Sequence, residues 1–350
     1  MNLKFENFNY ESHKSEQRAL FKESFPEIKN LPSASSDHYN WKYRGQIKSF
    51  QFSAILDQKL IGYYAALSYK YKFDDNYIKA GMVCDVMTGK ESRGKGVFTK
   101  LGKYSTEKLK DNSFDITTGF PIRKEVIPGH LKAGWEIAFK LPLYFKINTS
   151  KSILKKIYLG PLSNIFDFFI KIISLPFDLS FQRENVDVHK SNALDFFKSK
   201  RYNEIDQLVS KENLIYLNKD SEFMNWRLSA PEAKYNLYEI TFNEKLIGYV
   251  LTRDILKFGI NCTGIVDIVF LKDKVKFLKC ALSKIKFKGD LILLMCNKKL
   301  YNNYLLYKSG FIKSSFNFAL IIKDLSKNFS KDLLFSEKNW HLTWIDSDDL

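Results

Sequence analysis

The chain has 350 residues, 45% hydrophobic and 27% charged, with a formal net charge of +16 at pH 7. This is the composition of a soluble globular protein long enough for two cores, and it excludes a disordered or fibrous chain. No run of about 18 apolar residues predicts a membrane span, and the opening Met1-Asn-Leu-Lys-Phe-Glu-Asn7 is not a signal peptide. The four cysteines, Cys84, Cys262, Cys280 and Cys296, are far apart and lack Cys-x-x-Cys spacing. They read as reduced core residues of a cytoplasmic protein, with no metal site. Without an RNA-recognition motif or an Arg-rich arm, nucleic acid is disfavoured as a partner.

In chain order, Asn40-Trp41-Lys42-Tyr43 and the apolar run Leu60-Ile61-Gly62-Tyr63-Tyr64 come first. Tyr77 to Met87 is apolar enough for a buried strand. Arg93-Gly94-Lys95-Gly96 follows as a loop, and a helical pattern begins at Val97, with Leu101, Tyr104 and Leu109 at helical spacing. Phe114-Asp-Ile-Thr-Thr-Gly-Phe120-Pro121 reads as a second strand. A short helical segment, its boundary blurred by Pro128-Gly129, leads to Leu131-Lys-Ala-Gly134-Trp135 and a strand-like run to Ile147. Residues 151–182, with Ile165 to Phe177 at their centre, are too apolar for a flexible linker. They predict a helical connector packed on both domains. Their other reading is an interfacial helix turning Lys151, Lys155, Lys156 and Lys171 to anionic lipid. Trp340 and Trp344 predict a docked tail with an exposed acidic end.

The strand, glycine loop and helix around Cys84–Leu101 form an anion site. Glycines let backbone N–H groups approach a ligand, and a new helix adds unsatisfied donors and a positive dipole end. A Walker loop is absent. A dinucleotide loop fails because the third position after Gly96 is Thr99. Glu91-Ser92-Arg93-Gly94-Lys95-Gly96 resembles the Gln/Arg-x-x-Gly-x-Gly/Ala pyrophosphate loop of the GNAT acyltransferase superfamily, departing from it at Glu91. The resemblance runs to about Ile147, through the strand ending Gly-Phe120-Pro and the closing Lys-Ala-Gly134-Trp135. It implies an acyl-CoA donor, acetyl-CoA first. Loop amides from Arg93, Gly94, Lys95, Gly96, Val97 and Phe98 would hold its pyrophosphate, and backbone of Val86, Met87 and Thr88 would polarise the thioester.

The chain also repeats itself. Asn40-Trp41-Lys42-Tyr43 is echoed by Asn225-Trp226-Arg227-Leu228, and Leu60-Ile61-Gly62-Tyr63 by Leu246-Ile247-Gly248-Tyr249. Val83-Cys84-Asp85-Val86 is answered by Val266-Asp267-Ile268, and Gly134-Trp135 by Gly310-Phe311. Trp41 to Gly62 is 21 positions and Trp226 to Gly248 is 22. Matching order and spacing argue for two copies of one fold. The expectation is α/β, with two tandem GNAT-like domains whose mixed, mostly antiparallel sheets are flanked by helices. The division is a catalytic domain 1–148, a connector 149–183 and a degenerate domain 184–350. The second copy has no glycine after Asp267 where a phosphate loop would fall, so donor binding is expected in the first alone.

For chemistry, Asp85 reads as either a general base or a structural carboxylate at a strand kink, and Asp267 in the degenerate copy favours the second. His130 lies four positions before Gly134, where many GNAT chains carry a tyrosine that protonates the leaving thiolate. Its other reading is a surface histidine. Trp41, Tyr43 and Phe120 fall where the resemblance places the acceptor, though the repeat of Trp41 by Trp226 points to a core role. The family resemblance further implies a small amine acceptor such as a nucleotide- or lipid-linked amino sugar of a surface polysaccharide, with direct N-acyl transfer. A Fem-type aminoacyl transferase using transfer RNA and a non-catalytic tandem scaffold are the alternatives. The intact Arg-Gly-Lys-Gly argues against the first of these.

Overall fold

A computed structural model describes residues 2–29, 31–156, 166–167, 186–212, 215–257, 259–298, 300–301 and 303–348. The first half opens with strand β1 (Leu3–Asn7) and helices α1 (Tyr10–Ser24) and α2 (Ser36–Arg44). Strands β2 (Ser49–Leu56), β3 (Lys59–Phe73) and β4 (Asn76–Thr88) lead to helix α3 (Val97–Asp111). Strand β5 (Ile116–Gly119), the short helix α4 (Ile127–Lys132) and strand β6 (Glu136–Ile147) close it. Pro128 and Gly129 sit inside the first turn of α4, where a missing N–H costs nothing.

The second half begins with α5 (Lys151–Lys156), the described part of the expected connector. The rest of its apolar run, Phe166 and Asp167 apart, lies outside the described residues, so the interfacial-helix reading falls there as well. Then come β7 (Val186–Ser191), α6 (Ala193–Phe197), α7 (Lys200–Glu212), β8 (Ile215–Leu217) and α8 (Ser221–Leu228). Strands β9 (Tyr235–Phe242), β10 (Lys245–Lys257) and β11 (Ile260–Phe270) precede α9 (Leu278–Lys284). Strand β12 (Leu291–Met295), α10 (Asn303–Lys308), β13 (Ile312–Asp324), α11 (Lys331–Phe335) and β14 (Trp340–His341) complete the chain. Among the described residues no helix is long and apolar enough to cross a membrane.

These elements form two compact units that are discontinuous in sequence. One holds Met1–Phe139, Leu217–Glu232 and Ala319–Asn339, and the other Lys140–Tyr216, Ala233–Phe318 and Trp340–Leu350. Each unit therefore draws on residues from both sides of the 149–183 segment. In the first, the strand order is β1-β2-β3-β4-β5-β13, antiparallel throughout except for the parallel β4/β5 pair. In the second, the order is β7-β9-β10-β11-β12-β6, again with one parallel pair, β11/β12. The strand that closes each sheet thus comes from the other repeat.

The repeat read from sequence is a repeat of geometry. Gly62 and Gly248 each follow a register shift against the preceding strand. Gly89 N–H donates to Ile61 O at 2.9 Å, and Leu271 N–H to Ile247 O at 3.0 Å. Glu23 accepts from Lys90 N–H at 2.8 Å, and Glu212 from Lys272 N–H at 2.9 Å. In the first unit α3 presents Val97, Leu101, Gly102, Ser105 and Leu109 as one buried stripe. A Cβ on Gly62 would meet Leu101 at 3.3 Å and Val97 at 3.4 Å, so glycine there lets the helix lie close to the sheet. The tail docks as expected: Trp340 and Trp344 are buried. Its acidic end differs from expectation at Asp346, which is buried and closes a capping box with Thr343, pairing its carboxylate with a backbone N–H. All four cysteines are buried thiols outside any disulfide.

Candidate active site

The loop after β4 has the conformation its glycines allow. Gly94 and Gly96 lie at φ +74° and +76°, in the left-handed region where a side chain strains the backbone. A Cβ at either position would find nothing within 4 Å, so the loop is open on that side. Gly96 is the N-cap of the 15-residue helix α3, which has no side-chain cap and no acidic residue in its first turn. The N–H groups of its first turn are therefore available to an anion, alongside the positive end of the helix dipole. Arg93 Nε donates to Thr88 O at 3.2 Å, folding that side chain back over the strand end. Lys95 is exposed.

The second unit shows what the glycines prevent. After the matching bond at Leu271, residues Lys272–Phe277 form a continuous 3₁₀ turn that runs into α9. Phe277 takes a right-handed helical conformation, is buried, and stacks on Phe242 at 4.6 Å. No left-handed residue opens a crevice there.

Strands β3 and β4 fall out of step just before the loop. Tyr63 pairs with Met87 and Ala65 with Cys84, so Tyr64 faces two residues, Asp85 and Val86. Asp85 takes φ +48°, a β-bulge conformation that disrupts the ladder and re-aims the strand. Met87 and Thr88, beyond the bulge, are buried, and Val86 is partly so.

Asp85 is held from α2. Lys42 Nζ lies 3.1 Å from Oδ2, and Tyr43 OH donates to the same oxygen. The Lys42 and Asp85 side chains are only 7% and 14% exposed. Burial pushes the Asp85 pKa up, but the Lys42 charge and the hydrogen bonds from Tyr43 and Lys42 outweigh it and hold the carboxyl below its ordinary range. Burial, with Asp85 next, pushes the Tyr43 phenol well above its usual value, so it stays a donor. A carboxylate so strongly stabilised in its charged form is a weak base, and the structural reading of Asp85 gains accordingly. Its counterpart Asp267 is wholly buried, accepting from Tyr249 OH at 2.7 Å and Thr343 Oγ1 at 2.8 Å.

His130 departs from the expected acid. It is buried between Phe98 and Trp135, with ring centroids 5.0 and 5.2 Å away. A Cβ on Gly129 would come within 2.6 Å of the Phe98 ring, so that glycine permits the packing. Burial lowers the His130 pKa to about 4. The imidazole is neutral at physiological pH and has no acidic proton to give a thiolate near pH 7; the expectation rested on an unperturbed value. The shift also has a stability consequence. The unfolded chain takes up this proton below about pH 6.5 and the folded chain only near 4. Stability is complete above 6.5 and falls by on the order of 3 kcal/mol as pH drops to 4. Urea midpoints at pH 7 and 4.5 should show this slope in the wild type and lose that share in His130→Phe.

Trp41 is committed elsewhere than an acceptor pocket. Its Nε1 donates to Trp226 O at 2.6 Å, Trp226 Nε1 returns a bond to Trp41 O at 3.0 Å, and the rings stack 4.9 Å apart at 5°. The two repeats of one motif thus pair reciprocally inside the first unit, which corrects the acceptor reading for Trp41. Phe120 is buried just past β5, and Tyr43 serves Asp85. The sequence missed Lys42: nothing in the Trp-Lys-Tyr triplet shows that it reaches a residue 43 positions away. Among the described residues no group of three His, Cys, Asp or Glu side chains could hold a metal.

Residues 10–138 match the family model of the acetyltransferase (GNAT) domain, a span that contains the bulge, the loop and α3. That part of the chain is similar to GNAT acetyltransferases. Solved structures share its fold over nearly its whole length. A GCN5-related N-acetyltransferase from Anabaena variabilis ATCC 29413 superposes with a TM-score of 0.66 at 12% identity, covering 95% of this chain and 74% of that one. A conserved protein of unknown function from Enterococcus faecalis V583, a probable N-acyltransferase, gives 0.61 at 11% identity over 95% and 75%. Eis1 from Mycobacterium abscessus gives 0.54 at 11% over 93% and 74%. No curated protein matches the sequence.

Proposed function

We propose that this protein is an acyl-CoA-dependent N-acyltransferase, with acetyl-CoA as donor, and that the donor binds only in the first unit. The observation that carries this reading is the pair of left-handed glycines leading into an uncapped helix, set against the closed 3₁₀ turn of the second unit. Amides from Arg93 to Phe98 hold the pyrophosphate, and backbone N–H at Val86 to Thr88 polarises the thioester carbonyl. The neutral acceptor nitrogen attacks that carbonyl, the C–S bond breaks, CoA leaves as its thiolate, and the amine proton passes to water. Asp85, kept ionised by Lys42, accepts a hydrogen bond from the neutral acceptor amine rather than acting as the principal base. Cys84, buried and 3.5 Å from Tyr43 OH, is not placed as a nucleophile, which supports direct transfer without an acyl-enzyme. The acceptor class is a small amine, with an amino sugar of a polysaccharide precursor first on the list, and the site of action is the cytoplasm.

Isothermal titration with acetyl-CoA, CoA and RNA tests this, followed by turnover assays on a panel of amino sugars. One CoA site per chain and release of free CoA thiol with an amine acceptor are expected. RNA binding without CoA binding would replace the reading by the transfer-RNA-dependent one, and neither would leave a scaffold. The rate should rise with pH as the amine deprotonates, with no alkaline fall removed by His130→Phe.

A further inference from the structure

We infer that the α10 face of the second unit is a docking surface for an anionic lipid membrane. Helix α10 is two-sided. Leu306 is buried and Leu305 packs on the unit's core, while Tyr144 OH pins the helix start through Asn303 Oδ1 at 2.8 Å. On the outward side, Tyr304, Tyr307 and Lys308 stand three and four positions apart, which places them on one stripe. Tyr304 is 65% and Tyr307 61% exposed, and Ile312, just past the following turn, is 50% exposed. Lys308 Nζ lies 4.4 Å from the Tyr304 ring centre. Lys298 and Lys313, before and after the helix in sequence, are exposed.

The sequence that leads into and past this stripe is one-sided in charge. Leu271 to Lys313 carries eleven lysines against two aspartates, an excess of nine in a chain whose net charge is +16. Both aspartates are engaged: Asp273 with Lys274 at 2.7 Å, and Asp290 with Ser152 N–H at 2.9 Å and the Thr149 and Ser152 hydroxyls. No acidic residue occurs from Leu291 to Lys323. Tyrosine rings at the headgroup level, an aliphatic anchor and lysines as point charges are the chemistry of a peripheral contact with anionic lipid. A nucleic-acid surface would favour arginine for bidentate phosphate contacts, and the chain has none after Arg253. The inference rests on residues 298–313 and stands whether or not the first unit binds CoA.

The test is co-sedimentation of the full chain with vesicles of phosphatidylcholine alone and with one-third phosphatidylglycerol, with and without single-stranded RNA as competitor. Binding to the anionic vesicles is expected to exceed that to the neutral ones by more than about tenfold and to weaken with salt. Tyr304→Ser/Tyr307→Ser and Lys298→Glu/Lys308→Glu/Lys313→Glu should each remove most of it, with urea midpoints near wild type. The same reversals at exposed Lys211, Lys234 and Lys245, elsewhere in the unit's sequence, should cost little. Equal losses from the control set would overturn the site in favour of a diffuse field. No anionic preference, or RNA bound through the same residues in place of vesicles, would overturn the lipid assignment.

Discussion

Gly96→Val is expected to weaken CoA binding by about a thousandfold, and Gly94→Val by nearly as much, with little change in the fold. Two costs combine. At φ +76° and +74° a β-branched residue is strained by roughly 1–3 kcal/mol, so the loop relaxes away from its donor geometry. The added side chain also points into the open space beside the first turn of α3, where the pyrophosphate oxygens must reach backbone N–H groups. The unbound protein should tolerate the change, because nothing lies within 4 Å of either new Cβ. Replacing Val275 or Lys276 by alanine, in the closed turn of the second unit, should leave CoA affinity within about twofold. Isothermal titration of CoA against all four variants decides it. Equal losses in both units would end the one-site assignment, and wild-type affinity in Gly96→Val would remove the loop from the donor site.

The glycine loop was legible because only glycine takes a left-handed backbone without strain, so its conformation is written in residue identity. The repeat was legible for a similar reason, since Gly62 and Gly248 solve one packing problem twice. Which sheet each closing strand joins was not. The strand-like run to Ile147 does not name its neighbours, because strand pairing is decided by tertiary contacts, and nothing in the repeat assigned Ile312–Asp324 to the sheet of the other copy. His130 was misread because its neighbours Phe98 and Trp135 bury it through a chain turn that Gly129 makes possible. Trp41 was half legible: its echo in Trp226 pointed to the core, but not to the two indoles bonding each other.

The buried pair Lys42–Asp85 should be among the least replaceable contacts in the first unit. Lys42→Met keeps the apolar stem but removes the charge, leaving a largely buried carboxylate whose remaining partner is Tyr43 OH. Breaking such a pair from one side costs about 3–5 kcal/mol, mostly the desolvation left uncompensated. The pH dependence distinguishes this from a packing defect. In the wild type the Asp85 pKa is depressed, so its contribution is present at neutral pH and is lost as pH falls through the folded-state value. Without Lys42 the burial effect, the largest on this group, is opposed only by the Tyr43 hydrogen bond and the His38 charge, and the pKa is expected to rise. The variant's deficit should then be largest near pH 7 and shrink as acid protonates Asp85. Adding Asp85→Asn should restore much of the loss, because a neutral amide needs no counter-charge. Urea denaturation at pH 5 and 7 on the two single variants and the double variant measures the coupling. A deficit independent of pH, or a double variant no better than Lys42→Met alone, would show that Lys42 acts through packing and not as the charge that keeps Asp85 ionised.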